Sequence, residues 1–465
     1  MTEQEFDVVV LGGGTAGYTA AIRASQLGLR VALVEEDRVG GVCLHRGCIP
    51  TKALLEVAET VAQARRAAAF GVEVGEPSLD LPAVHRYRQQ VVEELYRGLR
   101  GVIAKRRIEV VQGRGRLLSP VGVAVEGAAP RRLRGRRIVL ATGSRPAELP
   151  GLPCDGERIL TSDHVLELAE LPRHLIVVGG GAVGLEFASF FLDVGVPVTI
   201  VELLPRLLPQ MDEELGRGLE RALGARGATV LTAARLVPEG CRLDGDDVEL
   251  LVEREGETRR LRGSHVLVAI GRRANVEGLG LEEAGVALAG GFVRVEATMQ
   301  TTAPGVYAAG DVAGGPLLAH KAAAEGAIAA EALAGKAPQP LDYGRVPAVV
   351  YTRPQAAAVG LTEEAAREQG RRVRGQRFSL RYNAMATIRR ETEGFAKVIY
   401  DLDSGEVLGV HVLAPQAGEL VAEAALARHL GASAWHLATS IHPHPSLSEV
   451  IGESAQMAAR LSIYL

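Results

Sequence analysis

Two cysteines five positions apart, Cys43 and Cys48, are the residues of this 465-residue sequence whose type and spacing most directly suggest chemistry. A close cysteine pair in a cytosolic protein is more often catalytic than structural. Residues at i and i+5 of a regular helix have Cα atoms about 8–9 Å apart, whereas a disulfide needs roughly 4.4–6.8 Å. The pair therefore predicts a turn distorted at Gly47 and Pro50 and a bridge that is easily reduced. The alternative is two unpaired cysteines buried as small apolar residues.

The remaining composition excludes several other classes. The four cysteines are too few for a disulfide-stapled secreted protein, and no second close pair or histidine spacing indicates a zinc site. A net charge of −4 gives no basic footprint for nucleic acid. The N-terminus lacks the features of a signal peptide, and glycines and acidic residues interrupt the most apolar stretch, from Leu175 to Val201. We expect a cytoplasmic protein with no nucleic-acid, membrane or metal partner, and inert Cys154 and Cys241.

A glycine-rich pattern precedes the cysteine pair. A predicted buried strand, Phe6–Leu11, leads into Gly12, Gly14 and Gly17, which are followed by a helix of small residues and a second strand ending at Glu35. This is the dinucleotide-binding G-x-G-x-x-G pattern in its strand–turn–helix context. The helix N-terminus favours phosphate groups, and Glu35 is expected to accept hydrogen bonds from ribose hydroxyls.

The same pattern occurs a second time, further along the chain. Its glycines are Gly179, Gly181 and Gly184, and its carboxylate, Glu202, lies 23 residues after the first glycine, as Glu35 does in the first copy. A carboxylate at this position accepts from a free 2′-hydroxyl and repels a 2′-phosphate. The second copy therefore predicts a preference for NAD over NADP, which the nearby Arg206 could weaken.

The run GGVCLHRGCIPTKALL around the cysteine pair resembles the active-site segment of the class I pyridine nucleotide–disulfide oxidoreductases. Both glycine fingerprints, ATGSRP (141–146), the segment 305–326 with AAGD, and HPHPSLSE (442–449) follow in the order of that family. Within the family, the sequence is most similar to the dihydrolipoamide dehydrogenases, the E3 components of 2-oxoacid dehydrogenase complexes. The resemblance implies a dithiol oxidoreductase that oxidises protein-bound dihydrolipoamide and reduces NAD⁺ through a Cys43–Cys48 disulfide and FAD.

The resemblance also implies a role for each matching residue. Cys43 is the expected interchange thiol, and Cys48 the thiolate beside the flavin. Lys52 is expected near the flavin, with Glu186 as its ion-pair partner. The implied cofactor residues are Gly12, Gly14, Gly17, Glu35, Lys52, Thr142, Gly143 and Asp311 for FAD, and Gly179, Gly181, Gly184, Glu202 and Gly271 for NAD.

A histidine near the C-terminus is the expected acid–base group. His444 and Glu449 match the catalytic base and its orienting carboxylate in the family. Only a thiolate is nucleophilic, so a group that titrates near neutral pH must take and return protons, and histidine does so with little perturbation. His442 is the alternative base and is expected to have a supporting role. Both histidines could also simply lie on a proline-rich surface turn.

The expected fold is α/β, with two Rossmann-like dinucleotide-binding domains and a C-terminal α+β dimerisation domain. The predicted boundaries are an FAD domain over 1–147, an NAD domain over 148–274, a return to the FAD domain over 275–342, and an interface domain over 343–465. In the resembled family the histidine comes from the partner subunit, so we expect a homodimer. The expected partners are the lipoyl domain and the subunit-binding domain of an acyltransferase.

Several alternatives remain at this stage. Relatives that reduce glutathione or trypanothione are one, but glutathione-type reductases generally use NADP, which Glu202 disfavours. Mercuric and large thioredoxin reductases carry a C-terminal cysteine pair, and this chain ends in ARLSIYL. A flavin-bearing assembly subunit is the non-catalytic alternative. Four residues depart from the family pattern: His45 and Arg46 inside the cysteine loop, Ala274, and Gln355. They leave the redox potential of the flavin and the exact substrate open.

Overall fold

The computed structural model describes residues 4–463. In chain order, the helices are α1 (Thr15–Gln26), α2 (Gly41–Arg46), α3 (Cys48–Arg66), α4 (Leu81–Lys105), α5 (Ser162–Val165), α6 (Ala182–Asp193), α7 (Glu213–Ala225), α8 (Ala319–Leu333), α9 (Glu363–Glu368), α10 (Ala384–Arg389), α11 (Ala417–His429), α12 (Ala434–Thr439) and α13 (Glu449–Ala459). Short 3₁₀ turns lie at Ala67–Phe70, Asp311–Ala313, Tyr343–Arg345 and Leu380–Tyr382.

The strands are, in chain order, β1 (Gln4–Leu11), β2 (Val31–Glu35), β3 (Glu109–Gln112), β4 (Arg114–Ser119), β5 (Gly122–Glu126), β6 (Arg131–Leu140), β7 (Ser144–Pro146), β8 (Ile159–Leu160), β9 (Leu175–Val178), β10 (Val198–Val201), β11 (Thr229–Leu231), β12 (Ala234–Asp244), β13 (Asp247–Arg254), β14 (Glu257–Gly263), β15 (His265–Val268), β16 (Arg272–Ala274), β17 (Leu288–Ala289), β18 (Phe292–Val293), β19 (Val306–Ala308), β20 (Ala348–Val350), β21 (Gln355–Gly360), β22 (Val373–Ser379), β23 (Phe395–Asp401) and β24 (Val407–Ala414).

The chain forms two compact units. The first comprises 1–53, 82–147 and 272–343, and the second comprises 54–81, 148–271 and 344–465. Both units are discontinuous in sequence, because the chain leaves each one and later returns to it. No helix between residues 4 and 463 has the length and apolar character needed to cross a membrane.

The first unit is built on a sheet of order β3-β2-β1-β6-β5-β4, to which β19 adds beside β6. Strands β3, β2, β1, β6 and β19 run parallel, and apolar clusters cover both of their faces. Strands buried on both faces have continuous apolar runs, such as VALV before Glu35 in β2. One cluster joins small residues of α1 and α8 to the sheet, so the return segment supplies both a strand and a helix to this core.

The second unit contains three sheets. A parallel sheet of order β11-β10-β9-β15-β8 carries the second fingerprint. A three-stranded antiparallel sheet, β12-β13-β14, shares an apolar core with it. The C-terminal part is a five-stranded antiparallel sheet, β20-β21-β24-β23-β22, whose core includes α11, α12 and α13.

The expected α/β class, with two dinucleotide-binding folds and a C-terminal α+β part, is confirmed. The predicted buried strand Phe6–Leu11 lies within β1. The domain boundaries placed at 147, 274 and 342 stay predictions. Pro50 differs from its expected role, because it lies in the first turn of α3, where proline fits without distortion.

Candidate active site

The first glycine cradle is formed by Gly12, Gly14 and Gly17 with Glu35. Gly12 has a φ of +97°, and a Cβ there would lie 2.3 Å from the carbonyl oxygen of Ala141. A Cβ at Gly17 would lie 1.8 Å from the carbonyl oxygen of Gly12. Only glycine fits either position, because the opposing atoms belong to the backbone. Gly14 caps α1, and no side chain bonds its first amides, which leaves them available to a phosphate.

Glu35 closes this cradle at the end of β2. Its Oε2 accepts a hydrogen bond from the Gly13 amide at 2.6 Å, and its Oε1 accepts from the Asp37 amide at 2.8 Å. Two amide donors fix a buried carboxylate, while each of its oxygens keeps a second lone pair. The carboxylate can therefore accept further hydrogen bonds from a ribose.

The second cradle, formed by Gly179, Gly181, Gly184 and Glu202, repeats this geometry. Gly179 has a φ of +114°, and a Cβ at Gly184 would lie 2.3 Å from the Gly179 carbonyl oxygen. Gly181 caps α6 without a side-chain cap. The Glu202 carboxylate accepts from the Gly180 amide at 2.6 Å and from the Leu204 amide at 2.7 Å.

Arg206 is engaged with atoms other than the Glu202 carboxylate. Its Nη2 donates to the Pro209 carbonyl oxygen at 3.2 Å and lies 3.4 Å from Oε2 of Glu364. Glu364 therefore competes with any phosphate for this guanidinium. This pairing favours the preference for NAD that Glu202 predicts.

The two cysteines lie on either side of a break between α2 and α3. Gly47 separates the helices with φ −143° and ψ −110°, so Cys43 lies in one helical segment and Cys48 begins the next. Both side chains are thiols, and they lie close enough for Cys48 to raise the pKa of Cys43. The predicted distortion at Gly47 thus brings the sulfurs together, as a regular helix would not.

The surroundings of Cys43 combine a thiol, a hydroxyl and a cation. The hydrogen bond with Cys48 raises the pKa of Cys43, and burial raises it further, while Lys52 and the Thr15 hydroxyl oppose the rise. Two thiols this close share a proton and ionise in succession. Thr15 begins α1, so the first fingerprint and the cysteine pair meet at one helix end.

Two of the departures inside the cysteine loop make contacts with the segment before it. His45 Nε2 lies 2.9 Å from the Val39 carbonyl oxygen, and its ring packs edge-on against Tyr96. Arg46 Nη2 lies 3.2 Å from Oδ2 of Asp37. These contacts join α2 to the loop that follows Glu35.

Asp311 lies in a polar network of the first unit. Its Oδ2 accepts a hydrogen bond from the Ser144 hydroxyl at 2.5 Å, and Arg272 donates to Ser144 Oγ at 2.7 Å and to Ser144 O at 2.8 Å. The guanidinium Nε lies 4.0 Å from the same carboxylate oxygen. Ser144 on β7 and Arg272 on β16 are brought together because these strands pair.

Thr142 and Gly143 lie beside this network. The Thr142 hydroxyl donates to the Asn275 carbonyl oxygen at 2.8 Å, and the Asn275 amide side chain donates to Thr142 O at 2.9 Å. Gly143 has a φ of +71°, and its carbonyl oxygen accepts from the Asn275 amide at 3.0 Å. The departure Ala274 is buried and completes the β16 pairing.

His444 and Glu449 form the expected hydrogen bond. Nδ1 of His444 lies 2.8 Å from Oε1 of Glu449, whose Oε2 accepts from the Ser446 amide at 2.8 Å. The imidazole is 72% exposed, whereas the carboxylate is 22% exposed. A carboxylate on one ring nitrogen leaves the other nitrogen free to exchange protons.

His442 forms a separate pair with Glu423. Its Nε2 lies 2.9 Å from one Glu423 oxygen and 3.2 Å from the other, and this hydrogen bond raises the pKa of His442. Its ring packs on Gly452, where a Cβ would lie 2.7 Å from Nδ1. His442 is therefore held on α13 near Glu449 but does not share its carboxylate.

Comparison with known proteins agrees with this arrangement. Residues 6–326 match the family model "Pyridine nucleotide-disulphide oxidoreductase", and residues 346–455 match its dimerisation domain. The chain belongs to this family. It is 43% identical to a dihydrolipoyl dehydrogenase of Bacillus subtilis over 99% of both chains.

Solved structures of the family extend the comparison. A crystal structure of LpdA from Mycobacterium tuberculosis has a TM-score of 0.90 at 32% identity, with 98% of this chain and 99% of that chain covered. RclA from Escherichia coli, an HOCl-induced flavoprotein disulfide reductase, has a TM-score of 0.87 at 27% identity over 98% and 100% of the two chains. As a pyridine nucleotide–disulphide oxidoreductase, the chain uses FAD and NAD(H).

The residues of the two cradles fit these cofactors. Each has an uncapped helix N-terminus for a pyrophosphate and a buried carboxylate for a ribose. The first unit also holds Asp311 and the cysteine pair, so it fits FAD. We therefore name the cradle of Gly12 the FAD cradle and that of Gly179 the NAD cradle.

The ion pair between Lys52 and Glu186 and the contact of Gly271 with NAD stay predictions. Glu186 is buried, and its Oε1 accepts from the Tyr351 amide at 3.0 Å, while Lys52 lies near Cys43; their ion pair stays a prediction. Gly271 has a φ of +124°, with no atom within 4 Å of an added Cβ. This leaves room for a ligand beside its backbone.

Sequence reasoning missed three polar residues of the first unit. The Thr15 hydroxyl opposes the rise in the pKa of Cys43, while Ser144 and Arg272 hold Asp311. Thr15 occupies a variable position of the fingerprint, and Ser144 lies within ATGSRP, so both were available as signals. Arg272 could not be found in this way, because only the β7–β16 pairing brings it to Ser144.

Proposed function

We propose that the chain is a dihydrolipoamide dehydrogenase, which oxidises protein-bound dihydrolipoamide to lipoamide and reduces NAD⁺. The observation that carries the proposal is the contact between the Cys43 and Cys48 thiols at the start of the FAD-cradle helix. Sequence identity of 43–44% to dihydrolipoyl dehydrogenases, over 97–99% of this chain, supports the substrate class.

The thiol chemistry follows from the residues. A substrate thiol loses its proton to His444, and the resulting thiolate attacks Sγ of Cys43 in the Cys43–Cys48 disulfide. A mixed disulfide forms and Cys48 leaves as a thiolate. The second substrate thiol then attacks the substrate sulfur of that bond while its proton passes to the departing Cys43 sulfur, which closes the lipoamide disulfide and releases Cys43. The electron pair now resides on the two cysteines, with one proton on Cys43 and the other on His444.

The chain's own groups support each part of this step. Glu449 fixes the His444 ring through Nδ1 and stabilises its protonated form. Lys52 and Thr15 oppose the rise in the pKa of Cys43 that Cys48 and burial cause, and only the thiolate form is nucleophilic. Bound FAD supplies the two-electron chemistry that links Cys48 to NAD⁺. Glu35, Thr142, Gly143 and Asp311 are proposed to hold FAD, and Glu202 and Gly271 to hold NAD.

A steady-state assay tests this proposal. We expect turnover with dihydrolipoamide and NAD⁺, loss of that turnover in Cys48→Ser, and near-normal turnover in the matched variant Cys154→Ser. Cys154 is a thiol of the second unit, outside the proposed site. Turnover with glutathione disulfide and NADPH, but none with dihydrolipoamide and NAD⁺, would contradict the proposal.

We also propose that His444 acts on the cysteines of the partner subunit, in keeping with the dimerisation domain matched over 346–455. Mixed dimers of Cys48→Ser and His444→Gln chains test this. If the site is shared, one of the two sites regains both native groups, and activity returns from two inactive parents. Mixed dimers without activity would place the histidine in the same subunit as its cysteines.

The proposed physiological partner is an acyltransferase of a 2-oxoacid dehydrogenase complex, met in the cytoplasm. Its lipoyl domain would deliver the substrate, and its subunit-binding domain would hold the dimer. Sedimentation of the dimer with a subunit-binding fragment at micromolar concentration should give a complex. Separate sedimentation of the two would contradict the docking proposal and leave the thiol chemistry intact.

A further inference from the structure

The turn that carries Asp311 has an unusual backbone. It is a single 3₁₀ turn, Asp311–Ala313, between Gly310 at φ +84°, ψ −153° and Gly314 at φ +78°, ψ −153°. Both glycines occupy a region that is essentially restricted to glycine, and backbones in such regions persist only where the surroundings over-determine them. Something must therefore hold both ends of this turn.

Lys321, in the first turn of α8, contacts both ends. Its ammonium donates to the Gly314 carbonyl oxygen at 2.7 Å, to the Gly310 carbonyl oxygen at 3.2 Å, and to Oε2 of Glu325 at 3.1 Å. An ammonium has three donors, and all three are used. The side chain is fully buried, with 0% exposed, so these bonds do not compete with water.

Glu325 completes the arrangement one helical turn later. Its Oε2 also accepts from the Gly310 amide at 2.8 Å, and its Oε1 accepts from the Tyr343 hydroxyl at 2.6 Å. Gly310 is thus bound through its carbonyl by Lys321 and through its amide by Glu325. We call Lys321 and Glu325 the turn clamp.

The clamp is attached to the fingerprint helix. A Cβ at Gly326, the residue after Glu325, would lie 2.4 Å from the Ala16 carbonyl oxygen, and one at Gly310 would lie 2.9 Å from the Ala16 Cβ. α8 and the turn therefore pack directly on α1. The clamp sets the position of Asp311 relative to α1, the helix whose N-terminus would bind the pyrophosphate of FAD.

An ordinary structural ion pair is the simpler explanation, but it fits less well. A buried pair is weak evidence for stability, and well-packed apolar residues often replace one without loss. Apolar side chains could not bind two carbonyl oxygens and an amide of the same turn. The hydrogen bonds to Gly310 and Gly314 are what distinguish this pair.

We propose that Lys321 and Glu325 are positioning residues for FAD: they hold the Gly310–Gly314 turn so that Asp311 stays bound to Ser144 and accepts a hydrogen bond from the flavin nucleotide. The proposal rests on the proposed role of Asp311 as a ligand of FAD. It adds two residues that do not touch the cofactor and act through the turn.

The test is an FAD titration of apoprotein, followed by flavin fluorescence, with urea unfolding of the same apoprotein. Lys321→Met keeps the length of the side chain and removes the ammonium. We expect the dissociation constant of FAD to rise about 10- to 100-fold, because hydrogen bonds from a charged donor are lost. Tyr343→Phe, which removes one bond to Glu325, should raise it by about 3- to 5-fold and provides a variant that folds readily.

Lys397→Met is the matched control. Lys397 is also a buried lysine, bonded to Asp212 at 3.1 Å, Glu214 at 2.9 Å and Glu363 at 3.0 Å in the second unit. It should lower the urea midpoint with the FAD constant unchanged. If Lys321→Met and Tyr343→Phe lower only the urea midpoint, as this control does, the clamp is merely structural and the proposal is overturned.

A double-mutant cycle with Asp311→Ala tests the role of Asp311 and the role of the turn clamp separately. If Asp311→Ala binds FAD normally, the role of Asp311 fails. If it weakens FAD binding and Lys321→Met weakens it no further in that background, the clamp acts through Asp311, as proposed. If the two effects add, the clamp does not act through Asp311 and the inference fails, while the role of Asp311 stands.

Discussion

The two nucleotide cradles have nearly the same backbone and different surroundings. Around the FAD cradle, a Cβ added at Gly14 would lie 4.0 Å from the Cα of Gly41, and the Thr15 hydroxyl is close enough to Cys43 to affect its pKa. Around the NAD cradle, an added Cβ at Gly181 meets no atom within 4 Å. Two apolar residues beside Glu202, Leu203 and Leu204, are exposed.

This difference shows how one motif can serve two purposes. The glycines, the helix end and the carboxylate define what kind of molecule binds. The residues around them define how closely it is enclosed. We infer that FAD is enclosed as a resident group, whereas NAD enters and leaves an open cradle.

The largest expected effect comes from adding one methyl group to each cradle. Gly17→Ala should lower the flavin content per chain about 10-fold, because a methyl group forced against fixed backbone costs about 1–3 kcal/mol. Gly184→Ala should keep its flavin and lose NAD⁺ affinity. Flavin absorbance per chain and the KM for NAD⁺ measure the two effects. Loss of flavin from Gly184→Ala would show that the cradles do not act separately.

A smaller effect is expected from Glu202→Gln. The neutral amide weakens hydrogen bonds to a ribose hydroxyl and no longer repels a 2′-phosphate, so the KM for NAD⁺ should rise about 10-fold. The NAD⁺ over NADP⁺ ratio of kcat/KM should fall at unchanged flavin content. Glu35→Gln is the matched variant in the other cradle, where flavin content should fall and the coenzyme ratio should not change. The reverse pattern would exchange the assignments of the two cradles.

The sheet that carries the NAD cradle should also lose stability in acid before the sheet that carries the FAD cradle. Burial lowers the pKa of His174 and of His265, which border β9 and β15, whereas β1, α1 and β2 contain no histidine. Unfolded histidines titrate near 6.5, so unfolding takes up protons below that pH. The stability of this region is therefore complete above about pH 6.5 and falls as the pH falls towards the lowered folded pKa values.

Native-state hydrogen exchange, corrected for intrinsic rates, measures this pH dependence. Between pH 7.5 and 5.5, amides of β9 and β10 should lose protection before those of β1 and β2. His174→Gln, which removes one titrating ring beside Thr199, should reduce the difference. Equal loss of protection in both sheets would contradict the expectation.

The smallest expected effect is that of Arg206→Ala. This guanidinium is paired with Glu364, and partly exposed ion pairs contribute about 0–1 kcal/mol. The NAD⁺ over NADP⁺ ratio should therefore change by no more than about 5-fold. A larger loss of NADP⁺ turnover would mean that Arg206 binds the 2′-phosphate after all.

What the sequence predicted well is local. Gly12 to Glu35 and Gly179 to Glu202 act within one strand–helix–strand unit, so their spacing alone specifies their geometry. His444 and Glu449 are five residues apart, and their hydrogen bond agrees with that spacing. The break at Gly47 was predicted from the distance that the two cysteine sulfurs must cover.

What could not be predicted depends on distant pairing. Ser144 meets Arg272 because β7 and β16 pair, although more than a hundred residues separate them. At Lys321 the sequence indicates only a helical residue. Its spacing does not indicate that its ammonium binds the carbonyl oxygens of Gly310 and Gly314. Such contacts follow from tertiary packing, which local propensity does not encode.

The late strand β19 has a consequence for synthesis of the protein. It completes the sheet beside β6, and α8, which follows it, supplies the helix that packs on α1. A ribosome must therefore release the chain beyond Leu333 before the first sheet and its covering helix can assemble. The N-terminal segment is made first, and its apolar surface stays uncovered while the segment 148–271 leaves the ribosome. A fragment ending at residue 147 should accordingly aggregate rather than bind flavin.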